Sequence, residues 1–243
     1  IITVSVANMR TEPGEDAELG TQALMGTIVR ILKKKWGWVY VQVPDKYLGW
    51  ADPDQMIRVT EKEAQEWNAA KKVFVTNYVG FIQQKPSAQS FPVCDITAGA
   101  VLKNLGTNGE WMKVGLADDR FGYIQRSSVM EYDQWGTTLT PVANNIERTG
   151  KFLLGVPYLW GGTSPKGVDC SGFTKTVYLL NGKVLNRDAD QQAQMGEPIE
   201  PGKDFENLKK GDLLFYGRKA ENGKTERIVH VGHRTNSSAR MGR

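Results

Sequence analysis

The amino-acid sequence predicts a multidomain chain: two small all-β barrels followed by an α+β domain. Three observations carry that prediction. Residues 6–51 recur as 79–124 at one constant offset. The alternating strand patterns stop near residue 133, where helix signals take over. A cysteine then stands in a glycine-rich loop just ahead of a helical pattern, in "GVPYLWGGTSPKGVDCSGF", residues 155–173.

The repeat is read by laying segment on segment. "VANMRTEP" (6–13) matches "VGFIQQKP" (79–86), and "GTIVRIL" (26–32) matches "GAVLKNL" (99–105). "WVYVQVPDKYLGWA" (38–51) matches "WMKVGLADDRFGYI" (111–124), aligning Trp38 with Trp111 and Gly49 with Gly122. Three segments that keep one offset mark a duplication. In "WVYVQV", Trp38, Tyr40 and Gln42 face one way and Val39, Val41 and Val43 the other, the period of a half-buried strand. Short runs of this kind, broken by Gly, Pro and Asp, predict a small barrel in each copy. Between the copies, "TEKEAQEWNAAKK" (60–72) predicts a short helix with Thr60 as N-cap and Glu63 completing a capping box. The expected divisions are a first barrel over 1–59, a connecting helix over 60–72, a second barrel over 73–132 and the α+β domain over 133–243.

In that last part, "TPVANNIERTGKFLLG" predicts a helix capped by Thr140, with Pro141 in its first turn and Gly155 as its stop. "CSGFTKTVYLLNG" repeats Phe173, Val177 and Leu180 at helical spacing, and a short helix is expected near 187–196. "GDLLFY" (211–216) and "RIVHVG" (227–232) read as strands. Helices followed by strands make an α+β arrangement.

Composition narrows the function. The hydrophobic fraction of 40% and charged fraction of 24% are those of a globular protein. A net charge of +4, with "KKK" at 33–35 as its densest run, gives no basic stripe for nucleic acid. No apolar run is long enough for a membrane helix. The two cysteines, Cys94 and Cys170, make no disulfide framework. With only two histidines they make no zinc site either, and no cofactor is expected. Cys94, after Phe91-Pro92-Val93, reads as a small buried hydrophobe. The chain begins at Ile1, as a mature form with its leader removed would. A monomer is expected.

Cys170 has the setting of a working thiol. At the start of a helix its sulfur meets unpaired backbone N–H groups, an effect of about 0.3–1 kcal/mol in favour of thiolate. Activation therefore needs an imidazole as well. His230, flanked by Val229 and Val231 on a strand, is the candidate, which makes a papain-like pairing of helix-borne Cys and strand-borne His.

These motifs resemble the NlpC/P60 family of cysteine peptidases. Pro157-Tyr158, Trp160-Gly161-Gly162, Asp169-Cys170-Ser171-Gly172, Gly211-Asp212-Leu213 and His230-Val231-Gly232 fall in family order across about residues 140–243. The repeat resembles, more loosely, tandem bacterial SH3-like (SH3b) domains, through "NMRTEP" and Gly49-Trp50. The resemblance implies hydrolysis of murein stem peptides at D-glutamate in the cell envelope (periplasmic or secreted), at the γ-D-Glu–diamino acid bond of peptides with a free N-terminal L-Ala. It implies Cys170 as nucleophile and His230 as proton acceptor. Tyr158, Trp160, Asp169 and Ser171 would hold substrate, with Asp169 pairing the free amine. Glu12 and Tyr47, on loops of the first barrel, would wall the site. The alternative is a wall-binding protein whose SH3b units work beside a degenerate peptidase domain. Retention of Cys170, Tyr158, Asp169 and His230 together favours the enzyme.

The sequence departs from the family after "HVG". The family's second histidine lies about a dozen residues further on, whereas His233 follows His230 by three and would face the other way on one strand. Two readings are open: a stretch is missing between Gly232 and His233, the favoured one, so that His233 orients His230 in a Cys-His-His triad, or the chain is truncated and its site incomplete.

Overall fold

In the computed structural model, which describes residues 1–219 and 225–234, the alternating segments are strands with one dry face. The first part holds β1 (Val6–Arg10), β2 (Leu19–Leu24), β3 (Arg30–Lys35), β4 (Trp38–Gln42) and β5 (Leu48–Ala51), an antiparallel sheet ordered β2-β1-β5-β4-β3. On β4, Val39 and Val41 are buried while Trp38, Tyr40 and Gln42 lie on the wetter face. With Ala7, Met9 and Ala51 these valines form the first core.

Helix α1 (Glu61–Ala69) carries the expected capping box: the Glu63 N–H donates to Thr60 Oγ1 at 3.3 Å, and the Thr60 N–H donates to Glu63 Oε2 at 2.7 Å. Buried Trp67 donates its indole N–H to the Gly26 carbonyl at 3.2 Å, fastening the helix to the first sheet. Thr60→Ala is expected to cost about 1 kcal/mol, measured as a lower urea midpoint at unchanged slope. An unmoved midpoint would mean that Trp67 alone holds the helix.

A second sheet follows, built from β6 (Lys72–Val75), β7 (Val79–Gln83), β8 (Pro92–Thr97), β9 (Val101–Asn108), β10 (Trp111–Gly115), β11 (Phe121–Gln125) and β12 (Val129–Glu131). Its order, β8-β7-β11-β10-β9-β6-β12, repeats the first sheet strand for strand and then adds two. The strands β7, β8, β10 and β11 start at Val79, Pro92, Trp111 and Phe121, each 73 positions after Val6, Leu19, Trp38 and Leu48. In neither sheet do the end strands pair with each other, so these are open sheets and not the closed barrels expected. The edge strand β3 shows why: a bulge between Ile31 and Lys33 and three successive lysines leave it poorly suited to further pairing. The second core gathers Val73, Ile82, Ile96, Leu102 and Val114. Cys94 packs against it, and burial, its largest influence, pushes the thiol up to about 11.

The third part contains α2 (Tyr132–Thr138), α3 (Ala143–Phe152), β13 (Thr163–Ser164), β14 (Gly167–Val168), α4 (Cys170–Leu179), α5 (Ala189–Gln192) and the hairpin β15 (Leu213–Lys219)–β16 (Thr225–His233). Helix α2 has no counterpart among the elements expected from sequence. It is held from outside, by Trp135 stacked on Phe74 at 5.3 Å and bonded to the Leu179 carbonyl at 2.7 Å. Helix α3 starts later than expected because residues 140–142 close a tight turn of their own, Val142 N–H to Thr140 O at 2.7 Å. Ile146, Leu153 and Val177 pack α3 against α4.

Candidate active site

The site is built on the first turn of α4. Asp169 is its N-cap, in extended conformation, and accepts the Gly172 N–H at 2.7 Å. Cys170 is the first helical residue. The N–H groups of Cys170 and Ser171 have no partner among the described residues, so they are free to bind negative charge. Two glycines of the motif are demanded by close approach. A Cβ at Gly172 would stand 1.9 Å from the Gly162 carbonyl, and one at Gly161, whose φ is +81°, would stand 2.2 Å from that of Leu19. The second contact presses the loop before the thiol onto β2 of the first sheet.

The Asp169 carboxylate is fully engaged. Besides the Gly172 N–H it accepts the Gly161 N–H at 2.9 Å, the Ser171 hydroxyl at 3.2 Å and both arms of Arg187 at 3.2 and 2.5 Å. Arg187 also donates to Ser171 Oγ at 2.8 Å, and its side chain is 3% exposed against 8% for Asp169. This corrects the expectation that Asp169 meets a substrate amine: a buried carboxylate with five donors organises the loop instead. Ser171, 5% exposed, belongs to the same network.

Around this core the first sheet supplies one side of a cleft. The Tyr47 hydroxyl lies 3.3 Å from Asp188 Oδ1. Burial first, then the charge of Asp188, push the Tyr47 phenol up to about 12, with Arg187 acting the other way. Burial also raises the carboxyl of Asp188, which Arg187 opposes and Asp190 reinforces. Nearby, Lys175 of α4 bonds to Asp45 at 2.6 Å with both side chains largely covered. Tyr158 is two-thirds exposed at the open side of the cleft. Partial burial, then the charges of Cys170 and Asp169, raise its hydroxyl. Trp160 donates its indole N–H to Glu18 at 2.5 Å. Glu12 is exposed on the β1–β2 connection, and Glu18, from the same acidic stretch, is the residue that meets Trp160. Sequence reasoning misses Arg187, Asp188 and Glu18 alike.

Both histidines lie on β16, whose pairing runs through Tyr216↔His230, Phe215↔Val231, Leu214↔Gly232 and Leu213↔His233 with no break after Gly232. Alternation puts Val231, 2% exposed, and His233 on one face and His230 on the other. His233 stacks on Phe173 at 5.2 Å and lies over Gly150, where a Cβ would come within 2.8 Å of its Cε1. Burial lowers its pKa, with Glu147 acting in the opposite sense. Neither of its ring nitrogens has a partner among the described residues. The geometry thus sets His233 against α4 instead of against His230. The "RTNSSARMGR" tail expected to hold a second-histidine strand lies, beyond Arg234, outside the described residues.

His230 is exposed, its ring 5.9 Å from that of Tyr216. Its level along α4 follows from two contacts. Late in the helix, Tyr178 donates to the Gly211 carbonyl at 2.5 Å, and Gly211 N–H bonds to Arg234 O at 3.0 Å. Earlier in the helix, Phe173 meets His233. β16 therefore runs in the same direction as α4 and carries residue 230 toward the end where Cys170 sits. No hydrogen bond joins His230 to the Cys170 sulfur among the described residues.

A helix-borne thiol with free N–H groups beneath it and a histidine strand alongside is the equipment for attack on an amide carbonyl. Comparison with known proteins agrees. Residues 155–234 match the NlpC/P60 family model, and residues 9–56 match the bacterial dipeptidyl-peptidase Sh3 domain. The chain is 30% identical over 224 residues to a γ-D-glutamyl-L-lysine dipeptidyl-peptidase of Bacillus cereus, covering 88% of this chain and 65% of that one. It is also 30% identical to dipeptidyl-peptidase 6 of Lysinibacillus sphaericus, over 89% of this chain and 80% of the relative. The crystal structure of an NlpC/P60 family protein from Bacillus cereus superposes with a TM-score of 0.83 at 27% identity, over 97% of this chain and 87% of that one. With its motif, its site and these relatives in accord, the chain belongs to the NlpC/P60 family.

Proposed function

We propose that the protein is a cysteine peptidase that cuts cell-wall stem peptides at the γ-D-Glu–diamino acid bond, releasing an N-terminal L-Ala–D-Glu dipeptide. The observation that carries this reading is the helix start itself: Cys170 with its free N–H groups, beside a segment that the first sheet reaches through the Tyr47–Asp188 hydrogen bond. Names of the relatives point the same way. Cys170 Sγ attacks the amide carbonyl, the N–H groups of Cys170 and Ser171 hold the oxyanion, and His230 passes the thiol proton to the leaving amine. Water then hydrolyses the thioester. His233, seated on Phe173, holds β16 so that His230 reaches the helix end. The carboxylate of Asp188, destabilised by burial, gains a counter-charge when a peptide ammonium arrives, which favours a free N-terminus.

The second sheet serves as another SH3-like unit, supported by its repeated strand order. One chain supplies every group the reaction needs, so it works as a monomer, and a stem-peptide substrate argues for work in the cell envelope. The test is mass spectrometry of L-Ala-γ-D-Glu-L-Lys and its diaminopimelate counterpart after incubation with the protein. Release of L-Ala–D-Glu is expected. Intact peptides with folded protein would overturn the reading.

A further inference from the structure

The tip of the β3–β4 hairpin carries residues that the fold does not ask for. Lys35 pairs with Trp38, so Trp36 and Gly37 alone make the turn, and both have positive φ, +50° and +83°. Such two-residue turns favour Asn-Gly, because an ordinary L side chain is strained in the left-handed region. Trp36 is nevertheless there, 77% exposed, and Leu32, in the bulge of β3, is 47% exposed. Between the two stand Lys33, Lys34 and Lys35, all exposed and none in an ion pair among the described residues. Their charges are held at aromatic rings instead. Lys35 Nζ lies 3.9 Å from the centre of the Trp36 ring, and Lys33 Nζ 4.8 Å from that of Tyr40.

The second copy of the repeat is an internal control. At the places of Lys33, Lys34, Lys35, Trp36 and Gly37 it has Gly106, Thr107, Asn108, Gly109 and Glu110. Gly109, at φ +59°, takes the left-handed position without strain. The hairpin therefore closes with no lysine and no aromatic at its tip. Protection of an open edge accounts for lysines on β3, which ends its sheet. It does not account for Trp36, since an exposed aromatic beside an open edge invites association.

We infer that this tip is a docking point for a bilayer bearing anionic lipids. Lysines near such a surface are drawn to the lipid phosphates, and tryptophan settles at the boundary between headgroups and acyl chains. Leu32 and Trp36 decide between lipid and a soluble polyanion, because only the bilayer offers apolar side chains an apolar phase. The sheet order favours the same use. β3 lies at one end and β2 at the other, and it is Leu19 of β2 that meets Gly161 in the loop before the thiol. A tip resting on a membrane leaves that contact undisturbed. The inference stands apart from the peptidase reading and would survive its loss.

The test is co-sedimentation of the full chain with vesicles of equal parts phosphatidylglycerol and phosphatidylcholine, beside vesicles of phosphatidylcholine alone. Binding is expected to the anionic vesicles only and to weaken as salt is raised. Trp36→Asn installs the residue that the turn prefers, so it should unfold at the same temperature or higher, yet bind about tenfold more weakly. Replacing Lys33, Lys34 and Lys35 together by glutamine should lower binding by about fivefold for each charge removed, and gives a second variant should the first fail to fold. Brominated acyl chains should quench the tryptophan emission of wild type more than that of Trp36→Asn. Absence of binding to anionic vesicles at low salt would overturn the inference, as would equal binding to neutral ones. Binding that both variants retain would place the contact elsewhere on the molecule. If soluble polyphosphate binds as tightly as the vesicles and Trp36→Asn weakens neither, the tip holds a polyanion and the membrane reading is lost.

Discussion

Cys170→Ala folds normally and loses hydrolysis of the free-amine peptide by about 10⁴-fold or more, the scale on which removing a covalent nucleophile acts. No neighbour can substitute. The Ser171 hydroxyl next to it is buried and held between Asp169 and Arg187, and the other thiol, Cys94, lies in the second sheet. Cys94 also serves as an internal control. With its thiol pushed up to about 11 by burial, it stays protonated and unreactive at neutral pH. Iodoacetamide at about pH 7.5, below the ordinary thiol range, should therefore label Cys170, abolish activity in proportion and leave Cys94 unmodified, as peptide mapping can read. Residual activity in Cys170→Ala above a few per cent would remove the thiol from the mechanism.

Arg187→Met is expected to lower the unfolding free energy by about 3–5 kcal/mol, because it leaves the Asp169 carboxylate buried without its counter-charge. Solvent screening offers little relief at 3% and 8% side-chain exposure. For a chain of this size that corresponds to a fall in Tm of roughly 10 °C. Adding Asp169→Asn removes the stranded charge, so the double variant should recover part of the loss even though two polar partners are gone. Urea unfolding of the two single variants and the double closes the cycle. A loss below about 1 kcal/mol in Arg187→Met, the scale of an ordinary hydrogen bond, would mean that the Gly161 and Gly172 N–H groups already satisfy Asp169 by themselves.

These two sites mark where sequence reasoning succeeds and where it stops. The place of Cys170 at a helix start is legible directly, because a helical pattern follows the Asp-Cys-Ser-Gly run. The β segments are equally open to reading, since Val39 and Val41 alternate with polar partners and the same pattern returns 73 positions later. Arg187 cannot be found this way. Arginine is among the residues least often buried, and only the three-dimensional neighbourhood shows that it closes on Asp169 from 18 positions away. Asp169 looks like a substrate ligand for the related reason that a sequence displays a carboxylate but not its donors. Glu18 goes unread because four acids crowd residues 12–18 and nothing local says which one faces Trp160. Open sheets pass for barrels because closure depends on how end strands meet, a property of twist and edge chemistry that alternation does not encode.

The Tyr47–Asp188 contact spans 141 positions of chain, and its order along that chain has a biological meaning. Synthesis proceeds from the N-terminus, and domains fold as they emerge. The sheet bearing Tyr47 is thus complete before the ribosome has added Cys170. The first-sheet side of the site is therefore made before the nucleophile, and Asp188 docks onto a surface that already stands.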